Sequence, residues 1–194
     1  MTDETTFSKL VSLACHDLRT PLATVYGFAR TIARTEGLDE KVAGYAEMIE
    51  SASQQLAELV DELSLAARIQ DGRYEPKLLA VSAGELAAAT AVTLGADRVA
   101  VSGGDGAMFE TDVDAARRSL SSLVRCALRH GGLDEVTVAA DGKLIRVSPI
   151  TAASAPVVLG EDLRDLGAAV AVMHIRALGG SVGVEAETLT IAFA

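Results

Sequence analysis

Along the first seventy residues, apolar side chains recur at three- and four-residue steps. Phe7, Val11, Ala14, Leu18, Leu22, Val25, Ala29 and Ile32 form one stripe on a helical wheel. Val42, Tyr45, Ile49, Ala52, Leu56, Leu59, Leu63 and Ala66 follow as a strict heptad seam. The first pattern predicts a helix from about Thr6 to Thr35. Asp3 and Glu4 sit at its positive end and Gly37 stops it. The second predicts a helix from near Asp39. Two long helices with a short link make an antiparallel hairpin. One hairpin buries only one side of each stripe, so two hairpins pairing as a four-helix bundle is the expected completion.

Past Gln70-Asp71-Gly72 the period changes. Lys77 to Val81 reads as a strand. Ser82 and Glu85 form an S-x-x-E capping box for a helix to about Leu94, closed by Gly95. Strands are expected at Arg98 to Ser102 and Ala107 to Glu110, around a Gly103-Gly104-Asp105-Gly106 turn. That run lacks a lysine and a following helix, so it is no phosphate loop. A helix from about Asp112 to Arg129 is stopped by Gly131-Gly132. Strands Val136 to Ala140 and Leu144 to Ser148 flank the hairpin signal Asp141-Gly142. A helix from Leu166 to Leu178 ends at Gly179-Gly180, and Val182 to Glu185 with Leu189 to Phe193 makes a last hairpin. The fold class is α+β: a helical hairpin over residues 1–71, then a small α/β sandwich over 72–194.

One segment breaks the helical rules. Pro21 lies inside the first stripe, where a proline costs about 3 kcal/mol. It frees the carbonyl of Asp17 and is expected to bend the helix. Such violations mark functional sites. His16 lies opposite Ala14 and Leu18 and so points away from the stripe. Thr20 shares its face one turn on, Arg19 flanks it, and Asp17 is close enough to touch the ring. An imidazole is a nucleophile near neutral pH, and a carboxylate on one ring nitrogen leaves the other to attack. Arginine can steady a phosphoryl group, and a threonine hydroxyl can place a water. His130 and His174 read as structural, the first at a helix's negative end and the second between apolar neighbours.

Composition narrows the partners. The net charge of −10 argues against nucleic acid or an anionic membrane surface. No apolar run approaches a membrane span, and Met1-Thr2-Asp3-Glu4 lacks a signal pattern, so a cytoplasmic location is expected. Cys15 and Cys126 make no disulfide framework, and the Cys15-His16 pair alone is no metal site, so no metal is expected.

His16-Asp17-Leu18-Arg19-Thr20-Pro21-Leu22 resembles the H-box of two-component sensor histidine kinases, His-Glu/Asp-Leu-Arg-Thr-Pro-Leu, at every position. The resemblance implies that His16 is the phosphoacceptor, Asp17 the general base, and Thr20 a residue that positions water in dephosphorylation. Arg19 is expected to contact the phosphoryl group on the strength of its own chemistry and position. The resemblance also implies a homodimeric dimerisation and histidine-phosphotransfer domain, and a response regulator receiver domain as partner. In membrane sensor kinases the sensor precedes the H-box; little chain precedes His16, so the signal is expected to arrive from another protein. The second half is similar to the kinases' ATP-binding domain. Leu120-Ser121-Ser122-Leu123-Val124-Arg125-Cys126-Ala127-Leu128-Arg129-His130 resembles the segment where the family has its N-box, and Leu178-Gly179-Gly180-Ser181-Val182 the one where it has His-Gly-Gly-x-hydrophobic.

The departures concern ATP. The N-box asparagine falls at Cys126, which offers no amide oxygen. Asp-x-Gly-x-Gly is replaced by Pro149-Ile150-Thr151-Ala152-Ala153, and the later glycine loop is reduced to Leu166-Gly167-Ala168-Ala169. The segment between Ser148 and Leu166 is short for a nucleotide lid. No bound ATP is therefore expected, and Mg²⁺ is expected from the regulator. The expected function is relay: His16 takes a phosphoryl group from one regulator aspartate and passes it to another. An active kinase with a divergent ATP site and a non-catalytic regulator-binding module are the alternatives.

Overall fold

The computed structural model describes residues 2–35, 37–104 and 106–194, with side chains from residue 11 onward. The side chains of Asp3, Glu4 and Phe7, and Asp105 of the glycine turn, lie outside the described residues. The chain divides into two compact units, Met1–Arg73 and Tyr74–Ala194.

The first unit is a helical hairpin of α1 (Thr2–Ala33) and α2 (Glu40–Gln70). α1 starts four residues before the expected Thr6 and remains helical through Pro21. Gly37 has φ +79°, in the left-handed region that lets the chain reverse. Asp39 caps α2 by accepting a hydrogen bond from the Lys41 amide at 2.9 Å.

The seam that closes the hairpin is not the one made by the large apolar residues. The buried positions among the described side chains are Cys15 and Ala29 on α1 and, on α2, Leu65 together with the row Ala46, Ser53, Val60 and Ala67. The four of that α2 row are spaced by seven residues, and so are Cys15, half-buried Leu22 and Ala29. Each set therefore holds one line along its helix. Small side chains let the two backbones approach closely. The large residues of the heptad seam stay open to solvent: Tyr45 is 64% exposed, Leu56 53% and Leu59 43%. On α1, Leu18 and Phe28 are 52% and 67% exposed. The hairpin thus carries a broad unpaired apolar face.

The second unit is an α/β fold. β1 (Leu78–Ser82) and β3 (Met108–Asp112) form a two-stranded antiparallel sheet. The main sheet has the order β2-β4-β5-β7-β6, with β2 (Val99–Gly103), β4 (Val136–Asp141), β5 (Leu144–Ser148), β6 (Ser181–Glu185) and β7 (Thr188–Ala192). β2 runs parallel to β4, and the remaining pairs are antiparallel, so the sheet is mixed. Register sets the core: Val138 pairs with Val147 and Val147 with Leu189, while Ala140 pairs with Ile145 and Ile145 with Ile191. All are buried. The alternate row, Ala139, Arg146 and Thr190, faces the other side.

The helices α3 (Ala83–Leu94), α4 (Val113–Gly131) and α6 (Leu166–Ala177) supply the opposing layer through Leu86, Leu120, Leu123, Val124, Ala171 and Ile175. The expected capping box forms: Glu85 N donates to Ser82 Oγ at 3.2 Å and Ser82 N to Glu85 Oε2 at 2.8 Å. The Ser82 amide and the Ser82 hydroxyl, both donating to Oε2, hold the Glu85 carboxyl below its ordinary pKa. Asp112 caps α4, and Gly132 ends it with φ +62°. The sequence reading missed α5 (Ala155–Val158), a single turn in the segment after β5. It is too short to show a helical period.

Candidate functional site

His16 lies at mid-length of α1 with 78% of its side chain exposed. Its Nδ1 is 3.1 Å from Asp17 Oδ1. An ionised carboxylate only accepts, so this contact needs the proton on Nδ1 and leaves the lone pair on Nε2. The free nitrogen therefore faces solvent, ready for an incoming electrophile. Pro21 supplies no N–H to the Asp17 carbonyl one turn back. The Thr24 hydroxyl donates to the Thr20 carbonyl at 3.0 Å. Thr20 itself is exposed on the His16 face.

Arg19 is placed differently from a free phosphoryl ligand. Its Nη2 and Nε donate to Asp61 Oδ1 of α2 at 2.8 Å and 3.3 Å. This ion pair links α1 to α2. Asp61 was not singled out from sequence, because the link spans 42 positions. An incoming phosphoryl group would compete with Asp61 for the guanidinium; both halves of the pair are about half exposed, so the pair is weak.

In the second unit, Cys126 is fully buried on α4. Burial, with the Asp165 carboxylate nearby, pushes its thiol up to about 12. One turn on, His130 Nε2 lies 3.3 Å from Asp165 Oδ2. Asp165 caps α6 through its other oxygen, which accepts from Ala168 N at 3.1 Å. Asp165 was not singled out from sequence, although an aspartate before an apolar helix is an N-cap signal, and its pairing with His130 has no local signature.

After β5, where the resemblance calls for an aspartate and glycines, Ile150 is buried and Thr151 and Ser154 bond each other instead. The Thr151 amide donates to Ser154 Oγ at 3.1 Å, and the Ser154 amide to Thr151 Oγ1 at 3.3 Å. Val157 and Val158 of α5 fill the core behind them. Neither an amide side chain at 126 nor a carboxylate at 149–153 is available to a nucleotide. A 430 Å³ cavity does occur in this unit, but it is lined by Leu78, Glu110, Lys143, Leu178, Gly180 and Phe193 and shares no residue with these segments.

The sequence reading had no basis for the network around His174. This ring is fully buried. Tyr74 donates its single hydroxyl proton to Asp112 Oδ2 at 2.9 Å, so at 2.8 Å its oxygen accepts from His174 Nε2–H. Nδ1 is then bare and accepts from Ser119 Oγ–H at 2.9 Å. Every group is satisfied with the imidazole neutral. Burial pushes its pKa down to about 4; Asp112 opposes that shift and Arg118 adds to it. Burial tends to raise the Asp112 carboxyl, but bonds from Ala115 N and the Tyr74 hydroxyl outweigh it and hold the group low.

Comparison with known proteins agrees with the geometry. Residues 8–72 match the His Kinase A (phospho-acceptor) domain. The probable sensor histidine kinase TcrY of Mycobacterium tuberculosis is 36% identical over 70 residues, 36% of this chain. The chain spans only 15% of that relative's length. Among solved structures, full-length ShkA in complex with AMPPNP superposes with a TM-score of 0.69 at 20% identity, over 96% of this chain and 46% of ShkA. The Acinetobacter baumannii histidine kinase AdeS gives 0.59 at 15% identity, over 92% of this chain and 97% of AdeS. These two likenesses establish the fold of both units. The hairpin is thus of the phospho-acceptor class. Over residues 8–72 the chain is similar to the phospho-acceptor domains of two-component histidine kinases, and its two units share the fold of histidine kinases of known structure.

Proposed function

We propose that the chain is a histidine phosphotransferase that relays phosphoryl groups between response regulators without an ATP site of its own. The observation that carries this reading is the contrast between the two units. His16 stands exposed with Asp17 on Nδ1 and Nε2 free, while Cys126 and Ile150 occupy positions where the family's nucleotide contacts fall. In the forward step, His16 Nε2 attacks the phosphorus of a phospho-aspartate. The N–P bond forms, the acyl O–P bond breaks, and the aspartate leaves as a carboxylate. Asp17 keeps the proton on Nδ1 and balances the growing positive charge on the ring. The reverse step loads a second regulator. Both phosphoryl compounds are high in energy, so the reaction depends on positioning more than on driving force.

In this reading the regulator's receiver domain docks on the exposed face of α1 around His16 and supplies Mg²⁺. Ala23 leaves room for its approach. The open apolar face, with Tyr45, Leu56 and Leu59, supports a homodimer that completes a four-helix bundle. No helix among the described residues is long and apolar enough to cross a membrane.

The test is chemical. After incubation with a phosphorylated receiver domain, the protein should carry a phosphoryl group that is acid-labile and base-stable, as a phosphoramidate is. His16→Ala should carry none. A base-labile adduct, or labelling that survives His16→Ala, would overturn the proposal.

A further inference from the structure

Cys126, His130 and Asp165 bring three metal-ligating atoms within 4.8 Å of one another, at the place where the N-box falls. Cys126 and His130 are one helical turn apart on α4 and share a face. Asp165 comes from the N-cap of α6, which packs against α4. We propose that these three side chains form a site for one zinc-class divalent metal ion, which clamps the end of α4 to the start of α6.

The donor set selects the metal. Thiolate, imidazole and carboxylate suit Zn²⁺ or Co²⁺, whereas Mg²⁺ wants oxygen ligands alone. Tetrahedral zinc bonds of about 2.0–2.3 Å put neighbouring ligand atoms about 3.3–3.7 Å apart. His130 Nε2 and Asp165 Oδ2 already stand at 3.3 Å. The sulfur needs to close by about 1 Å, within the reach of side-chain rotation. A fourth position remains for water.

Orientation and charge are also in place. Asp165 Oδ1 is fixed by the Ala168 amide, which aims Oδ2 at His130. The thiol gives its proton to solvent as the metal–sulfur bond forms. One thiolate and one carboxylate then neutralise the 2+ ion, which is what a site with a fully buried sulfur requires. Arg129 and Arg164 act on the same sulfur, and their charge repels a bare cation. Both anionic ligands are therefore needed to hold one.

The test uses the full chain stripped with a chelator and titrated with Co²⁺, followed by the near-ultraviolet thiolate-to-cobalt charge-transfer band. A one-to-one band should appear and be displaced by Zn²⁺. It should vanish in Cys126→Ser and persist in Cys15→Ser. Asp165→Asn and His130→Gln, which leave the buried sulfur in place, should weaken Co²⁺ binding by about tenfold or more. Absence of the band in the wild type would overturn the site. So would a band lost with Cys15, or affinity indifferent to both Asp165→Asn and His130→Gln. The phosphotransfer reading stands or falls separately, since His16 is not part of this site.

Discussion

Acid should destabilise the second unit through one residue, His174. Folded, its pKa is pushed from 6.5 to about 4; unfolded, the ring returns to its ordinary value. The folded state therefore resists a proton that the unfolded state accepts. Above about pH 7 both states are neutral and His174 contributes no pH dependence. As pH falls below 6.5 the unfolded state gains a proton first, and stability drops with a slope approaching about 1.4 kcal/mol per pH unit. The loss is complete near pH 4 and totals about 3 kcal/mol, a shift of roughly 2.5 units at 1.36 kcal/mol each. The ring is fully buried, so no allowance for solvent screening applies. The assay is urea unfolding between pH 7.5 and 5, with wild type compared against His174→Gln, a neutral side chain that keeps hydrogen-bonding capacity. Subtracting the variant removes the titrations common to both. Staying above pH 5 avoids the low-pKa carboxyls of Asp112 and Glu85, which lose stability only at lower pH. Wild type should lose about 2 kcal/mol more than the variant over this range. Parallel curves would refute the neutral buried histidine.

Other outcomes follow from local geometry. Ser82→Ala removes the N-cap of α3 and should cost about 1 kcal/mol, read as a lower urea midpoint with an unchanged slope. Gly180→Ala would set a methyl 2.5 Å from the Ala192 carbonyl oxygen and 2.9 Å from Ile175 Cγ2. The backbone of β7 or of the turn after α6 must shift, and the expected loss is about 1–3 kcal/mol in the same measurement. Leu56→Asp with Leu59→Asp places charge on the open face of α2. The proposed homodimer predicts that sedimentation equilibrium gives a dimer for the wild type and a monomer for this variant; a wild type that is already monomeric would contradict it.

The helical period and the turn chemistry made most elements legible. β5 starts and ends where the sequence places it, and Ser82, Asp112 and Gly132 act as the caps their residue types imply. Pattern alone did not say which stripe closes the hairpin. Both the large-residue seam and the small-residue line have heptad spacing, and the small one lies between the helices of one chain. Hydrophobicity ranks the stripes in the opposite order, so the sequence reading favoured the exposed seam. At the candidate site, the contact of His16 with Asp17 followed from adjacency on one helix. Arg19 with Asp61, His130 with Asp165, and Tyr74 with His174 join residues 35 to 100 positions apart. No local period encodes such pairs; they exist only once the helices have packed. The last hairpin, with Ala186 and Glu187 both at positive φ, likewise carries no Asn-Gly signal, and the strand pairing of β6 with β7 overrides the residue preference there.

The measurement that bears most directly on the central claim compares two phosphoryl donors. The full chain is incubated with γ-labelled ATP and Mg²⁺ alone, and separately with a labelled phospho-receiver domain, each beside His16→Ala. The account predicts label from the receiver alone, dependent on His16, and passed on when a second, unphosphorylated receiver is added. Label acquired from ATP alone at His16 would contradict it and make the chain an autokinase.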